Sequence, residues 1–301
     1  IKPVKKPILG VSLYPEQESM EEIENYLTMA SRYGFTKIFT SMFSVPGTKK
    51  EVFDYFKNFC DLAHKHGMKV SGDCNTAFFK KMGASESDIS IFKEMGIDII
   101  RMDLPYFDQR DVTLINNPYN ITIELSSCMI QAVRMALENG ANPKNFSTCH
   151  NFYPERYTAS DLESIRSINK GLATLGIPSA VFISSNEDNT HGPWPVHDGL
   201  PTVEDHRWIP AELQVRHWIA VGDVDEIIFG NAFASEEEFK AIDRVMNQAY
   251  VNIPKLVGED YLAELLPHGD VERVPFKVIL DDGVTAVSYT HLRAHETSAH
   301  L

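Results

Sequence analysis

Cysteine is scarce in this chain. Cys60, Cys74, Cys128 and Cys149 are scattered and form no CxxC pair, which excludes a disulfide framework and makes reduced thiols the default. Positive charge is also short, with 28 Lys+Arg against 42 Asp+Glu and a net charge of −14. A backbone-reading nucleic-acid binder or an anionic-membrane binder needs the opposite balance, so neither partner is expected. No apolar run approaches the roughly 20 residues that span a bilayer. Lys2, Lys5 and Lys6 precede only the short run from Ile8 to Val11, far less than a secretory signal requires, and a cytoplasmic location is expected. Metal signatures are missing too. There is no HExxH and no HxH after the first strand, so no metal and no cofactor is expected. The turn Leu13-Tyr14-Pro15-Glu16-Gln17 holds no glycine, which argues against a dinucleotide-binding open sheet. A Schiff-base aldolase needs a lysine near a strand's C-terminal end, whereas Lys37 and Lys69 lie at strand starts.

What is present is a rhythm. Of the 301 residues 43% are hydrophobic, enough for a full core. Short β-branched runs alternate with helical patterns, the order of parallel βαβ units. Strands are expected at Ile8 to Leu13, Lys37 to Met42, Lys69 to Gly72, Ile97 to Met102, Ile121 to Leu125, Phe146 to Cys149, Ser179 to Ile183 and Glu226 to Phe229. Helix starts are marked by Ser19, by Ser160 with Glu163 as a capping box, and by Ser235 before three glutamates. Gly34, Gly67, Gly96, Gly140, Gly176 and Gly222 each follow a helical stretch, the position where a chain leaves a helix in the left-handed conformation. Eight units between Pro7 and Gln248 occupy about 240 residues, against the roughly 250 of a (β/α)8 barrel. The expected fold class is therefore α/β, a (β/α)8 TIM barrel over residues 1–248. The loop from Asn186 to Pro210 is far longer than its counterparts and reads as a lid or binding loop.

In such a barrel the working residues lie at the C-terminal ends of strands. Collected there are Tyr14, Glu16, Asp73, Asn75, Asp103, Glu124, His150, Asn151, Asn186, Glu187, Asp188 and Asn231. A carboxylate after a strand is often only a helix N-cap. Glu124 is harder to set aside, because it shares parity with Thr122 within a strand, and a buried glutamate must be paired or protonated. Arg101 and Asp103 share parity as well. Arg101 either neutralises Asp73 or Asp103 structurally, or orients a catalytic acid and shifts its pKa. The segment His150-Asn151-Phe152-Tyr153-Pro154-Glu155-Arg156-Tyr157-Thr158, with His191, Trp194, His197, Asp198, His206 and Arg207 in the long loop, offers donors for anionic oxygens and aromatic faces for a sugar ring.

Four motifs in order, Leu9 to Glu16, Gly96 to Asp103, His150 to Thr158 and Asp198 to Arg207, resemble the MupG-like 6-phospho-N-acetylmuramidases over residues 7 to about 289. The resemblance implies a TIM-barrel glycosidase. Its expected substrate is a phosphorylated amino-sugar disaccharide, N-acetylmuramic acid 6-phosphate β-1,4-linked to N-acetylglucosamine, cleaved during cytoplasmic peptidoglycan recycling. A small cyclophilin-like β domain would follow the barrel. Glycosidases use two carboxyl groups, and position nominates Asp73, Asp103 and Glu124, with Glu187 in reserve. Tyr14, Glu16, Asn75, Arg101, His150, Asn151, Tyr153, Arg156, Tyr157, Asn186, His206 and Arg207 are the expected substrate contacts. Tyr106, Phe152, Trp194 and Trp208 add sugar-facing rings. Two rival classes are a metal-dependent phosphosugar isomerase or epimerase on the same barrel, and a non-catalytic sugar-phosphate sensor.

Past Gln248 the pattern changes. Residues 249–287 read as a linker and a hairpin turning at Asp281-Asp282-Gly283, the opening of an incomplete β domain. Residues 288–301 carry three of the eleven histidines, His291, His295 and His300. They resemble translated adaptor sequence and are read as a non-native tail rather than a metal site.

Overall fold

In the computed structural model, which describes residues 6–256 other than Glu16, Ser44 and His197, eight parallel strands close into a barrel in sequence order. They are β1 (Ile8–Leu13), β2 (Phe35–Ser41), β3 (Lys69–Cys74), β4 (Ile99–Met102), β5 (Thr122–Ser126), β6 (Phe146–Cys149), β7 (Ser179–Ile183) and β8 (Glu226–Phe229), with β8 pairing back onto β1. Helices α1 (Met20–Arg32), α2 (Lys49–Lys65), α3 (Thr76–Met82), α4 (Ser90–Met95), α5 (Gln109–Ile115), α6 (Ile130–Glu138), α7 (Leu162–Thr174), α8 (Ala211–Val221) and α9 (Glu236–Leu256) lie between and after them. The fold is a (β/α)8 barrel, and four of the expected strands begin and end where the residue pattern puts them.

Local chemistry explains most boundaries. Ser19 and Glu22 form a reciprocal capping box at α1, as do Thr48 and Glu51 at α2. The six glycines expected to end helices all have positive φ, between 71° and 93°. One expected cap moves by a residue. Asp161, not Ser160, caps α7 by accepting from the Ser164 amide at 2.8 Å, while Ser160 makes an isolated bridge to Val203. The Asp161 carboxylate, one residue later, takes the free amide at the helix start, and its charge suits the positive end of the helix dipole.

The barrel has a lumen layer and an outer layer. Contacts between strands that are not neighbours can only be made through the lumen, and they fix the parity. Lys37 on β2 reaches Glu124 on β5, and the Phe39 ring on β2 packs against Phe182 on β7 with centroids 5.2 Å apart. The other face is turned to the helices, where Phe35 and Phe229 pack against Phe239 of α9; a one-residue register slip against β1 between Phe35 and Lys37 puts Phe35 on this face although it shares parity with Lys37.

The long loop after β7 is tied down rather than free. It doubles back along β7, the Thr202 amide donating to the Phe182 carbonyl at 3.1 Å and the Thr202 hydroxyl accepting from the Phe182 amide at 2.8 Å. Leu200, Thr202 and Val203 are fully buried. Helix α9 runs to Leu256, so the expected boundary at 248 falls inside it. The expected hairpin and tail lie outside the described residues. Among those residues no helix is long and apolar enough to cross a membrane.

Candidate active site

The lumen ends at the C-terminal face in a cavity of about 220 Å³. Its polar side is built from Ser41, Asp73, Arg101, Asp103 and Asn151, and its apolar side from Phe39, Phe43, Phe152, Tyr153, Phe182, Pro193 and Trp194. Strand parity explains the polar side: Asp73 pairs in register with Arg101, and Asp103, just past the end of β4, follows Arg101 by two residues and lines the same cavity. The apolar side is held by ring packing, Phe152 lying edge-to-face with Phe39 and Phe182 and tilted against Trp194, at centroid distances of 5.0 to 6.2 Å.

Arg101 is the hub. Its Nη1 donates to Asp73 Oδ1 at 2.7 Å and its Nη2 to Asn151 Oδ1 at 2.6 Å. Asn151 also accepts from the Ser126 hydroxyl at 3.3 Å. Burial pushes the Asp73 carboxyl above the ordinary aspartate value; the Arg101 guanidinium opposes this, and the charges of Asp103 and Glu124 add to it. Asp103 is exposed at the rim. The site thus holds one buried carboxyl group with a raised pKa and a second, solvent-facing one, beside a hydrophobic wall.

Glu124 lies elsewhere. It is 1% exposed and pairs with Lys37 at 2.9 Å, one layer beneath the mouth, and it does not line the cavity. Adjacent strands therefore do not bring Asp103 and Glu124 to one level: Glu124 is level with Arg101.

Several expected contacts turn away from the cavity. His150 has the parity of the outer layer, where its Nε2 meets Asn169 Oδ1 on α7 at 2.8 Å, and burial lowers its pKa to about 4. His206 is wholly buried against His217 and Trp218, and burial lowers its pKa to about 3. Arg207 is committed to Glu204 at 2.7 and 2.9 Å and to the carbonyls of Tyr153, Asp198 and Glu155 at 2.8 to 3.1 Å. That clamp joins the loops after β6 and β7 and leaves the guanidinium no donor for a ligand. Tyr14 is buried, donating to the Gly230 carbonyl at 2.5 Å, and Asn75 caps α3. Arg156 stays on the surface, bonded to Asp198 at 2.9 Å and lying over the Trp208 ring, and Tyr157 is exposed. Asn186 and Glu187 line a separate cavity of about 240 Å³ with Asp188, Asn231 and Trp208. Val196 and Gly199 line that cavity, whereas Pro193 and Trp194 line the mouth. Glu16 is outside the described residues.

Sequence reasoning missed Phe39, Ser41, Phe43 and Phe182. The signal was available for two of them, since Lys37, Phe39 and Ser41 alternate along one face of β2. It also missed Glu18, whose carboxylate meets His191 Nε2 between the loops after β1 and β7, and whose pKa burial pushes up to about 7. Among the described residues no three or more His, Cys, Asp or Glu side chains converge as metal ligands would.

Residues 9–244 match the family model described as 6-phospho-N-acetylmuramidase, N-terminal. A solved structure of an uncharacterized B. cereus protein is 37% identical, with a TM-score of 0.71 over 79% of this chain and 65% of that one. A conserved protein from Enterococcus faecalis with an unknown function is 23% identical, with a TM-score of 0.67 over 81% of this chain and 65% of that one, a likeness that shows the fold. The chain thus spans 65% of the length of each. No curated protein matches it.

Proposed function

This chain belongs to the 6-phospho-N-acetylmuramidase family, and from that premise we propose that it hydrolyses the β-1,4 bond joining N-acetylmuramic acid 6-phosphate to N-acetylglucosamine. The observation that carries the reading is the mouth cavity, in which Asp73 and Asp103 share a face opposite a wall of aromatic rings. Two carboxyl groups of unlike environment are what glycoside hydrolysis needs. Asp73, with its raised pKa, is the general acid that protonates the departing glycosidic oxygen. Asp103, at the rim, takes the complementary role toward the anomeric carbon or its attacking water. Arg101 fixes the Asp73 carboxyl, Asn151 fixes Arg101, and Phe152, Tyr153 and Trp194 receive the apolar face of a sugar ring. Arg156, exposed over the Trp208 ring, offers a surface guanidinium to an anionic substituent. A substrate of this kind would place the enzyme in the cytoplasm, in the reuse of cell-wall sugars.

The test is to incubate the protein with the disaccharide, with and without its 6-phosphate, and to follow release of N-acetylglucosamine. Cleavage confined to the phosphorylated form is expected. Binding without turnover would overturn the reading in favour of a sensor, and turnover of both forms would overturn the phosphate requirement.

A further inference from the structure

Below the mouth the lumen holds charges that the proposed chemistry does not use. Lys37, 2% exposed, projects from the base of β2 and donates to Glu124 Oε2 at 2.9 Å and to Glu226 Oε2 at 2.6 Å. Glu124 Oε2 also accepts from the Ser147 hydroxyl at 3.3 Å. These groups are joined to the site through strand register. Glu124 is the register partner of Arg101, and Arg101 is the register partner of Asp73.

Arg101 therefore stands between two carboxylates. It bonds Asp73, while Glu124 lies on its other side without a hydrogen bond to it. Two buried atoms on these neighbouring strands, Arg101 Nε and Glu124 Oε1, have no hydrogen-bond partner. Such atoms are costly in a low-dielectric interior, and a cation and an anion in this state attract each other. Something must keep Glu124 from drawing Arg101 down, and the ammonium of Lys37 is the group that holds it.

We propose that Lys37 is a positioning residue for the mouth: by holding Glu124 low in the lumen it leaves Arg101 to Asp73. For its bearing on catalysis this rests on the reading of Asp73 as the general acid. The charged and titratable groups that face Asp73 are Arg101 and Asp103 from β4 and its loop, Glu124 from β5, Tyr14 just past β1 and Cys74 beside it on β3. Cys149, from β6, acts on Arg101 and Glu124. Lys37 faces Glu124, Glu226 and Cys149.

The experiment titrates Asp73 directly, by carbon NMR of protein labelled at the aspartate carboxyl carbons, with Asp73→Asn identifying the signal. In Lys37→Met, Glu124 is left with Arg101 as the cation in reach, Asp73 loses its partner, and its midpoint moves up by about one pH unit. In Lys37→Met/Glu124→Gln the competitor is gone and the midpoint returns to or below the wild-type value. Lys37→Arg keeps the wild-type midpoint. No shift or a downward shift in Lys37→Met, or no return in the double variant, overturns the proposal. Should Lys37→Met fail to fold, Lys37→Gln, which removes the charge and keeps a donor, decides in its place: an upward shift is expected, and an unmoved or lowered midpoint overturns the proposal. This readout needs no substrate. The expected shifts in a protein that cleaves no disaccharide would sink the glycosidase reading alone, and disaccharide cleavage with an unmoved midpoint would sink the positioning role alone.

Discussion

Arg101 Nη1 donates to Asp73 Oδ1 across 2.7 Å of barrel lumen, and both residues are more than nine-tenths buried. Burial disfavours the ionised carboxyl and the guanidinium favours it, and burial is the larger influence. The pair therefore fixes the position of Asp73 without locking it as an anion. A carboxyl group that is both oriented and protonatable is suited to donating a proton.

Replacing Asp73 or Asp103 with asparagine is expected to lower turnover of the phosphorylated disaccharide at least about a hundredfold, the usual cost of losing a general acid or base. Far-ultraviolet circular dichroism and the melting temperature should stay close to wild type. Near-normal turnover in both variants would remove the pair from the mechanism.

The pH profile should carry the mark of Asp73. With its pKa raised, the acid form persists above the ordinary aspartate range and is lost as pH rises through the shifted value, so kcat/KM should fall on that basic limb. Asp73→Asn should abolish the limb in the residual activity. A limb that survives in this variant belongs to another group.

Arg207 should matter for stability rather than for substrate. Arg207→Ala leaves the Glu204 carboxylate and three backbone carbonyls without their donor, for an expected loss of about 3 kcal/mol or more in urea unfolding. Lysine cannot reproduce the forked geometry and should recover less than half. Hydrogen bonds from Arg207 and its positive charge hold Glu204 down at about 2. The clamp's contribution is therefore present above the unfolded glutamate pKa and is lost as pH falls through about 2.

Trp194→Ala should raise KM about tenfold with kcat changed less than threefold, because a ring that stacks on sugar binds ground state and transition state alike. A large fall in kcat with unchanged KM would show that the ring acts on the reaction itself.

His150 and His206 give the protein a built-in acid sensitivity. Both are buried and held neutral, with folded pKa values of about 4 and about 3. Between those values and the unfolded value near 6.5 the unfolded chain binds more protons, so stability is present above about pH 6.5 and is lost as pH falls. Each can contribute on the order of 2 to 3 kcal/mol of that loss. Unfolding free energy measured from pH 7 to pH 4.5 should fall less steeply in His150→Gln than in wild type; an identical slope would mean that His150 takes up no extra protons on unfolding.

The barrel was legible because its determinants are local. Alternating β-branched runs, the Ser19 cap and six glycines at helix ends are each read within a few residues, and the chain has few other ways to satisfy their backbone preferences. That Asp73, Arg101, Asp103 and Asn151 gather at the barrel mouth was legible as well, since position at a strand's end and parity with a neighbour are one-dimensional properties. The fate of each polar side chain was not. Arg207 resembled an anion ligand until Tyr153, 54 residues away, and Asp198 offered it their carbonyls. His150 resembled a site residue until the parity of β6 turned it toward Asn169. Lys37, set aside at a strand start, became the cation of the lumen because closing the barrel brought Glu124 and Glu226 within reach. Sequence determined which segments become strands and helices, through short-range periodicity and caps. Tertiary structure alone decided which charges meet, because a buried charge must find a partner, and that partner is fixed by which strands the closed barrel sets face to face.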